Sequence, residues 1–461
     1  MKSRLSRLAR LLMLALMLSF VAARPAAAQS ALRDSETELL FKDISRPLIT
    51  AAGLDPNSVN VVLLSDPEIN AFVATGQTVY IQSGLLMASD NVNQLQGVIA
   101  HELGHVAGGH SIRIEQGANQ ATGITIATMV LGALAIAAGA GEAGMGIMAM
   151  GQQAALGQFL AFTRAQESSA DQAGADYLSK AGVSGKGLLE FFKKLQNQEY
   201  RLAIYSKDSY ARTHPLSSER VQALTQRFRA DPAWTRPPDP DLEARFQRVK
   251  GKLIGFVTPK QAVVKYPESD PSVPAHYARA YAYHMSSYPD KALAETDALL
   301  QTNPHDPFFL ELKGQVLLES GKPAEAIAPL REAAERSGDM PLIAAMLGHA
   351  LVATEDRKNF LEAKQVLKAA VGRDNQNPFA WYQLGIIYDR EGDPARAALA
   401  TAERNNLEDN PKLALVSAET AMKGIPTGTP DWLRAQDIAM VSKAELAKKD
   451  KRYRDKDTGK Q

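Results

Sequence analysis

Leu95-Gln96-Gly97-Val98-Ile99-Ala100-His101-Glu102-Leu103-Gly104-His105 is the stretch on which the reading of this chain turns. Its period predicts a helix over 91–108, with Leu95, Val98 and Ile99 facing inward. The same period puts His101 and His105 one turn apart on one side. Two imidazoles so placed bind one Zn²⁺. The intervening Glu102 stands beside the metal, where it takes a proton from bound water. Gly97, Gly104, Gly108 and Gly109 are costly in a helix unless close packing demands them.

Upstream, Glu36 to Ala52 reads as a helix with Leu39, Leu40, Ile44 and Leu48 on one stripe. Val59–Leu64 reads as a strand. Thr78–Gln82 reads as a second strand after a Gly76-Gln77 turn, in a hairpin-like edge. Downstream, a catalytic zinc needs a third protein ligand and an open position. His110 is the nearest histidine, but its spacing suits a structural or supporting role. Thr163-Arg164-Ala165-Gln166-Glu167-Ser168-Ser169-Ala170-Asp171 is the better source. On a helix Glu167 and Asp171 share a face. Either Glu167 binds zinc while Asp171 orients a ligand histidine, or both are solvated acids. Between the histidines and Glu167, residues 123–141 are apolar, small and uncharged. Three readings compete there: a buried or capping helical hairpin, a helix lying against a membrane or an apolar client, and a membrane span.

The last third repeats. Proline recurs at Pro274, Pro307, Pro341, Pro378 and Pro411, at intervals of 33, 34, 37 and 33 residues. Seven residues after the later four stand Gly314, Gly348, Gly385 and Ala418, where the first has Tyr281. Ala292, Ala326, Ala363 and Ala397 recur in the second helices. A helix-turn-helix unit of about 34 residues is the tetratricopeptide period, which stacks into an α-solenoid with a concave groove.

The expected organisation is a signal peptide over 1–28, a metallopeptidase domain over 29–230, a proline-rich linker over 231–241, repeats over 242–446 and a disordered charged tail over 447–461. The signal is a basic start (Arg4, Arg7, Arg10), a short apolar run and Ala26-Ala27-Ala28. The chain has no cysteine, which excludes disulfides and thiolate zinc sites. Lys plus Arg total 52 against 51 for Asp plus Glu, so charge balance gives nucleic acid no foothold. Export together with the lack of cysteine points to a periplasm.

The segment His101–His105 followed by Glu167-x-x-Ala170-Asp171 resembles the HtpX-like gluzincin peptidases, as do Asn70-Ala71-Phe72 and Ser83-Gly84-Leu85-Leu86. The resemblance covers roughly 30–230. It implies an α+β, mostly α, zincin-like domain ahead of the tetratricopeptide α-solenoid. It implies one Zn²⁺ held by His101, His105 and Glu167, with Asp171 behind them and Glu102 as catalyst. It implies that a substrate strand adds along Thr78–Gln82. It also picks out His214 and Arg220 as catalytic residues. His214 either donates to the oxyanion, with Arg220 fixing it or assisting, or fills the fourth position of zinc and keeps the resting enzyme off. The implied role is a periplasmic endopeptidase in quality control or assembly of outer-membrane proteins. Its repeats would recruit clients or the assembly machinery, and residues 123–151 would offer peripheral membrane contact. The rival is a chaperone or scaffold with a gated or little-used metal site.

Overall fold

The computed structural model describes residues 30–74, 76–137, 140–202 and 214–457. The signal segment 1–28, with Arg212 and Thr213, lies outside the described residues.

The first helix, α1 (Ser35–Ala51), starts where the Asp34 side chain accepts from the Thr37 amide. It buries Leu40, Ile44 and Leu48 completely. Three short strands follow: β1 (Asn60–Leu64), β2 (Ala71–Val73) and β3 (Thr78–Gln82). Their order is β1-β3-β2, with β3 parallel to β1 and antiparallel to β2. Thr78–Gln82 is thus the central strand, which corrects the expectation that a substrate adds along it. Both its sides are already paired, and the free edge on that flank is β2. Alternation in a single strand tells which face is buried; it says nothing of which neighbours complete the ladder.

After α2 (Ser83–Ala88), α3 (Val92–Gly108) carries the histidine pair. The Asn91 side chain caps its first turn, and Gly109 ends it at φ +62°. Leu95, Val98 and Ile99 face inward as read, and every residue from Val92 to His105 is buried. Its glycines are where neighbours touch. A Cβ on Gly104 would stand 2.7 Å from the Ala170 carbonyl oxygen, and one on Gly97 would stand 2.7 Å from Leu188 Cβ. Those contacts come from α5 (Gly141–Ala181) and α6 (Lys186–Leu202), which bracket α3. Between α3 and α5 runs α4 (His110–Ala137), paired with α5 as a long hairpin.

The expected linker is ordered and pinned. α7 (Ser218–Arg229) leads to a 3₁₀ turn at Pro232–Thr235, and Ser184 Oγ donates to the Trp234 carbonyl at 2.9 Å. Asp239 then caps α8 (Pro240–Val257). Phe246, Val249 and Leu253 of α8 join the same core as Leu40 and Ile44. The helix read as the start of the repeats is therefore shared with the core of the first domain. Prolines break helices, but a broken helix is not by itself a free hinge.

Beyond α9 (Pro259–Lys265) come paired helices: α10 (Val273–Met285) with α11 (Pro289–Thr302), α12 (Pro307–Glu319) with α13 (Pro323–Arg336), and α14 (Pro341–Ala353) with α15 (Phe360–Arg373). Then come α16 (Pro378–Arg390) with α17 (Pro394–Leu407), and α18 (Pro411–Gly424) with α19 (Pro430–Asp457). The recurring prolines open the first helices, several behind an Asp, Asn or Ser cap. The expected repeat solenoid is present. The tail expected to be disordered is helical as far as Asp457.

A buried charge network joins the two parts. Arg248 on α8 reaches Glu36 on α1 at 2.8 Å and Asp306 before α12 at 2.8 Å. Tyr277 on α10 donates to Glu36 at 2.8 Å, and Lys252 pairs with Asp34. Removing one partner strands the others in a poorly solvated interface. We expect Arg248→Met to cost about 3–5 kcal/mol, read as a lower urea midpoint. An unchanged midpoint would mean the network contributes no stability.

Candidate metal centre

α3 delivers His101 and His105, with Glu102 between them; His101 and Glu102 are fully buried. The base of α5 delivers Glu167 and, one turn on, Asp171, which are 5% and 2% exposed. His214 enters from the segment before α7, and Arg220 lies in the first turn of α7, capped by Ser217. Helices far apart in sequence thus converge on one buried point.

The distances at that point have a definite shape. His101 Nε2 is 3.2 Å from His105 Nε2, 3.3 Å from His214 Nδ1 and 3.4 Å from Glu167 Oε2. Glu167 Oε1 is 3.4 Å from His105 Nε2 and 3.1 Å from His214 Nδ1. All four donors lie within 4.8 Å of one another. Zinc with ligands at about 2.0–2.1 Å in a tetrahedron requires donor–donor edges of about 3.3–3.4 Å. Five of these contacts, at 3.1–3.4 Å, are close to that requirement, so the chemistry and spacing of the donor set fit such an ion.

The outer nitrogens of the histidines agree. His101 Nδ1 is 3.1 Å from Asp171 Oδ1, His105 Nδ1 is 2.9 Å from His110 Nδ1, and His214 Nε2 is 3.3 Å from the Ala71 carbonyl. With Nδ1–H of His101 and His105 and Nε2–H of His214 as donors, each inner nitrogen turns a lone pair on the centre. Asp171 is held in turn by Arg220, Nε to Oδ2 at 2.6 Å and Nη2 to Oδ1 at 2.8 Å. Arg220 Nη2 also stands 3.1 Å from Glu167 Oε2, and its Nη1 donates to the Pro215 carbonyl at 2.6 Å. Arg220 therefore supports the carboxylates from behind, over the face of Phe192.

Electrostatics reinforce this. Burial works against a charge on His101, yet its bonds to Asp171 and Glu167 push its pKa up to about 10. Burial and the neighbouring His101 charge drive His105 down to about 2. Burial likewise opposes ionisation of Glu167, but hydrogen bonds from His101 and His214 hold it well below the usual carboxylate range. The site favours a positive charge, which a bound cation would supply in place of the proton on His101. Glu102 differs: burial raises its pKa, and among the described residues neither of its carboxylate oxygens has a hydrogen-bond partner. Its Oε1 lies 3.5 Å from His214 Nε2. A buried, unbonded carboxylate is costly, and it is the group ready to take a proton.

The structure brings together His101, Glu102, His105, Glu167, Asp171, His214 and Arg220. Sequence reasoning missed the Ala71 carbonyl, the Pro215 carbonyl and Phe192, whose ring stands edge-on to His101 at 6.2 Å. Only the paired Phe191-Phe192 on an amphipathic helix offered a signal for the last.

Residues 34–228 match the model of peptidase family M48. A Vibrio cholerae protein named putative beta-barrel assembly-enhancing protease is 26% identical over 61% of this chain and 59% of its own length. The Escherichia coli metalloprotease LoiP is 32% identical over 38% of this chain and 64% of its own. Among solved structures, YrrB, a TPR protein with an unusual peptide-binding site, is 19% identical with a TM-score of 0.31, over 38% of this chain and 92% of its own. The chain spans less than two thirds of the length of either curated relative.

Proposed function

We propose that this chain, whose residues 34–228 are a peptidase family M48 domain, is a periplasmic zinc endopeptidase acting on outer-membrane proteins during their assembly or quality control. The observation that carries the reading is the buried cluster of His101, His105, Glu167 and His214 with Glu102 beside it. The names of the assembly-enhancing relatives support the class of client. The repeats are read as the part that recruits clients or the assembly machinery.

Zinc held by His101, His105 and Glu167 supplies water acidified toward neutral pH and a polarised scissile carbonyl. Glu102 takes the proton from the attacking water and returns it to the leaving amine nitrogen. Asp171 holds the His101 ring, and Arg220 holds Asp171, so both position ligands. Arg220→Gln is expected to weaken zinc affinity by about 10–100-fold in competition with a chromogenic chelator. Unchanged affinity would remove Arg220 from the centre.

His214 is the gate in this reading. Its Nδ1 takes the fourth corner and its Nε2 takes the Ala71 carbonyl on β2. Asn70 bonds inward, to Gln82, so Ala71 turns its carbonyl outward along the free edge. An extended peptide adding to β2 competes for that carbonyl and dislodges His214, freeing the fourth corner as it docks. His214→Ala is expected to raise cleavage of an unstructured substrate. If the closed arrangement is favoured by one to two kcal/mol, the rise is about 5–30-fold. A fall of similar size would instead give His214 an oxyanion role.

The occupied fourth corner also favours a second reading, a scaffold or chaperone whose metal site is rarely open. Glu102→Gln separates the two, because it removes the base without disturbing ligands or repeats.

A further inference from the structure

The distal part of the hairpin of α4 and α5 is apolar on the outside; nearer its base Asn119, Gln120, Gln152, Gln153 and Gln158 are exposed. Between Glu115 and Arg164 the sequence holds one charge, Glu142. Ile126, Met129, Leu131, Leu134, Met145 and Leu156 are all exposed, the last at 58%. Only 6% of the most apolar window of α4 is buried inside the protein. What is buried is the seam between the arms, which is built from small residues: Gly132, Gly144, Gly151 and Ala155. A Cβ on Gly132 would stand 2.7 Å from the Gly144 carbonyl oxygen. Backbones this close, with large side chains turned outward, suit helices packed in lipid, where apolar burial does not drive association. In water such a surface is unfavourable over its whole area.

We propose that this hairpin inserts into a lipid bilayer and seats the metal centre at the membrane surface. Topology requires entry and return on one side, because α4 leaves directly after the helix of His105 and α5 returns directly to Glu167. From Ile124 to Ala137 the apolar part of the arm is about 20 Å long at 1.5 Å per residue, enough to pass the middle of a hydrocarbon core about 30 Å thick. At the near end Arg113 and Arg164 are exposed, placed to meet anionic headgroups. A distal part whose one charge is Glu142, with Arg113, Glu115 and Arg164 at the neck, fits a bilayer better than a peptide client, which would cover one face and leave the others wet.

The test uses the purified chain and vesicles of phosphatidylethanolamine and phosphatidylglycerol, in flotation and in fluorescence. The native tryptophans, Trp234, Trp381 and Trp432, all lie outside the hairpin. In a Leu134→Trp variant the added indole is expected to blue-shift on binding vesicles and to be quenched by brominated acyl chains, while the native three are not. The pair Leu131→Lys and Leu134→Lys should cut the vesicle-bound fraction at least tenfold with the unfolding midpoint unchanged. An unquenched indole overturns the proposal, as does vesicle binding indifferent to the lysines. Shielding of the indole by an unfolded β-barrel polypeptide but not by vesicles also overturns it, in favour of a client surface.

Discussion

Glu102→Gln is expected to lower cleavage of an unfolded β-barrel client by about 10²–10⁴-fold while zinc stays at one per chain. The substitution keeps the shape of a fully buried side chain and removes only its capacity to accept a proton. Among the described residues neither carboxylate oxygen accepts a hydrogen bond, and the one ionic contact, to His214 at 3.5 Å, is the only one the substitution weakens. Rate and zinc content should be measured on the same preparation. Loss of activity with zinc retained assigns the base. Activity close to wild type would end the proposal that Glu102 activates water. If cleavage is lost and an assembly function persists in cells, scaffolding by the repeats is the dominant activity.

Glu167→Gln is expected to drop zinc from about one per chain to a small fraction of that, in elemental analysis after dialysis. Glu167 is the one anionic donor of the set, bridging toward both His101 and His105. A neutral amide removes that charge. It also leaves Arg220 Nη2 without one of its two carboxylate partners. Zinc retained in full would move the third ligand to another donor, with His110 and His214 nearest. No zinc in the wild type would sink the metallopeptidase reading and leave the solenoid scaffold.

Much of this was open to a reader of the sequence, for a local reason. The His101–Glu102–His105 spacing is a helical repeat, and a helix needs only its own residues to bring positions one turn apart together. The proline and small-residue period of the last third is legible for the same reason, since each hairpin packs mainly on its sequence neighbours. Caps at Asn91, Asp306 and Asn377 bond within three residues and announce their helices.

Contacts across the chain were settled only by folding. Strand order is one: Thr78–Gln82 looks the same as an edge or as a centre, and the parallel pairing with Asn60–Leu64 made it the centre. Sequence alone likewise left Glu167 and Asp171 as site or surface, because what distinguishes them is α3 packed against α5 through Gly104 and Ala170. His214 meets His101 across 113 positions and Arg220 meets Asp171 across 49. Helical periodicity reaches one or two turns. It determined that a His-Glu-His helix and a repeat array exist in this protein. The tertiary packing decided which distant donors converge on that helix and which strand lies at the sheet edge beside it.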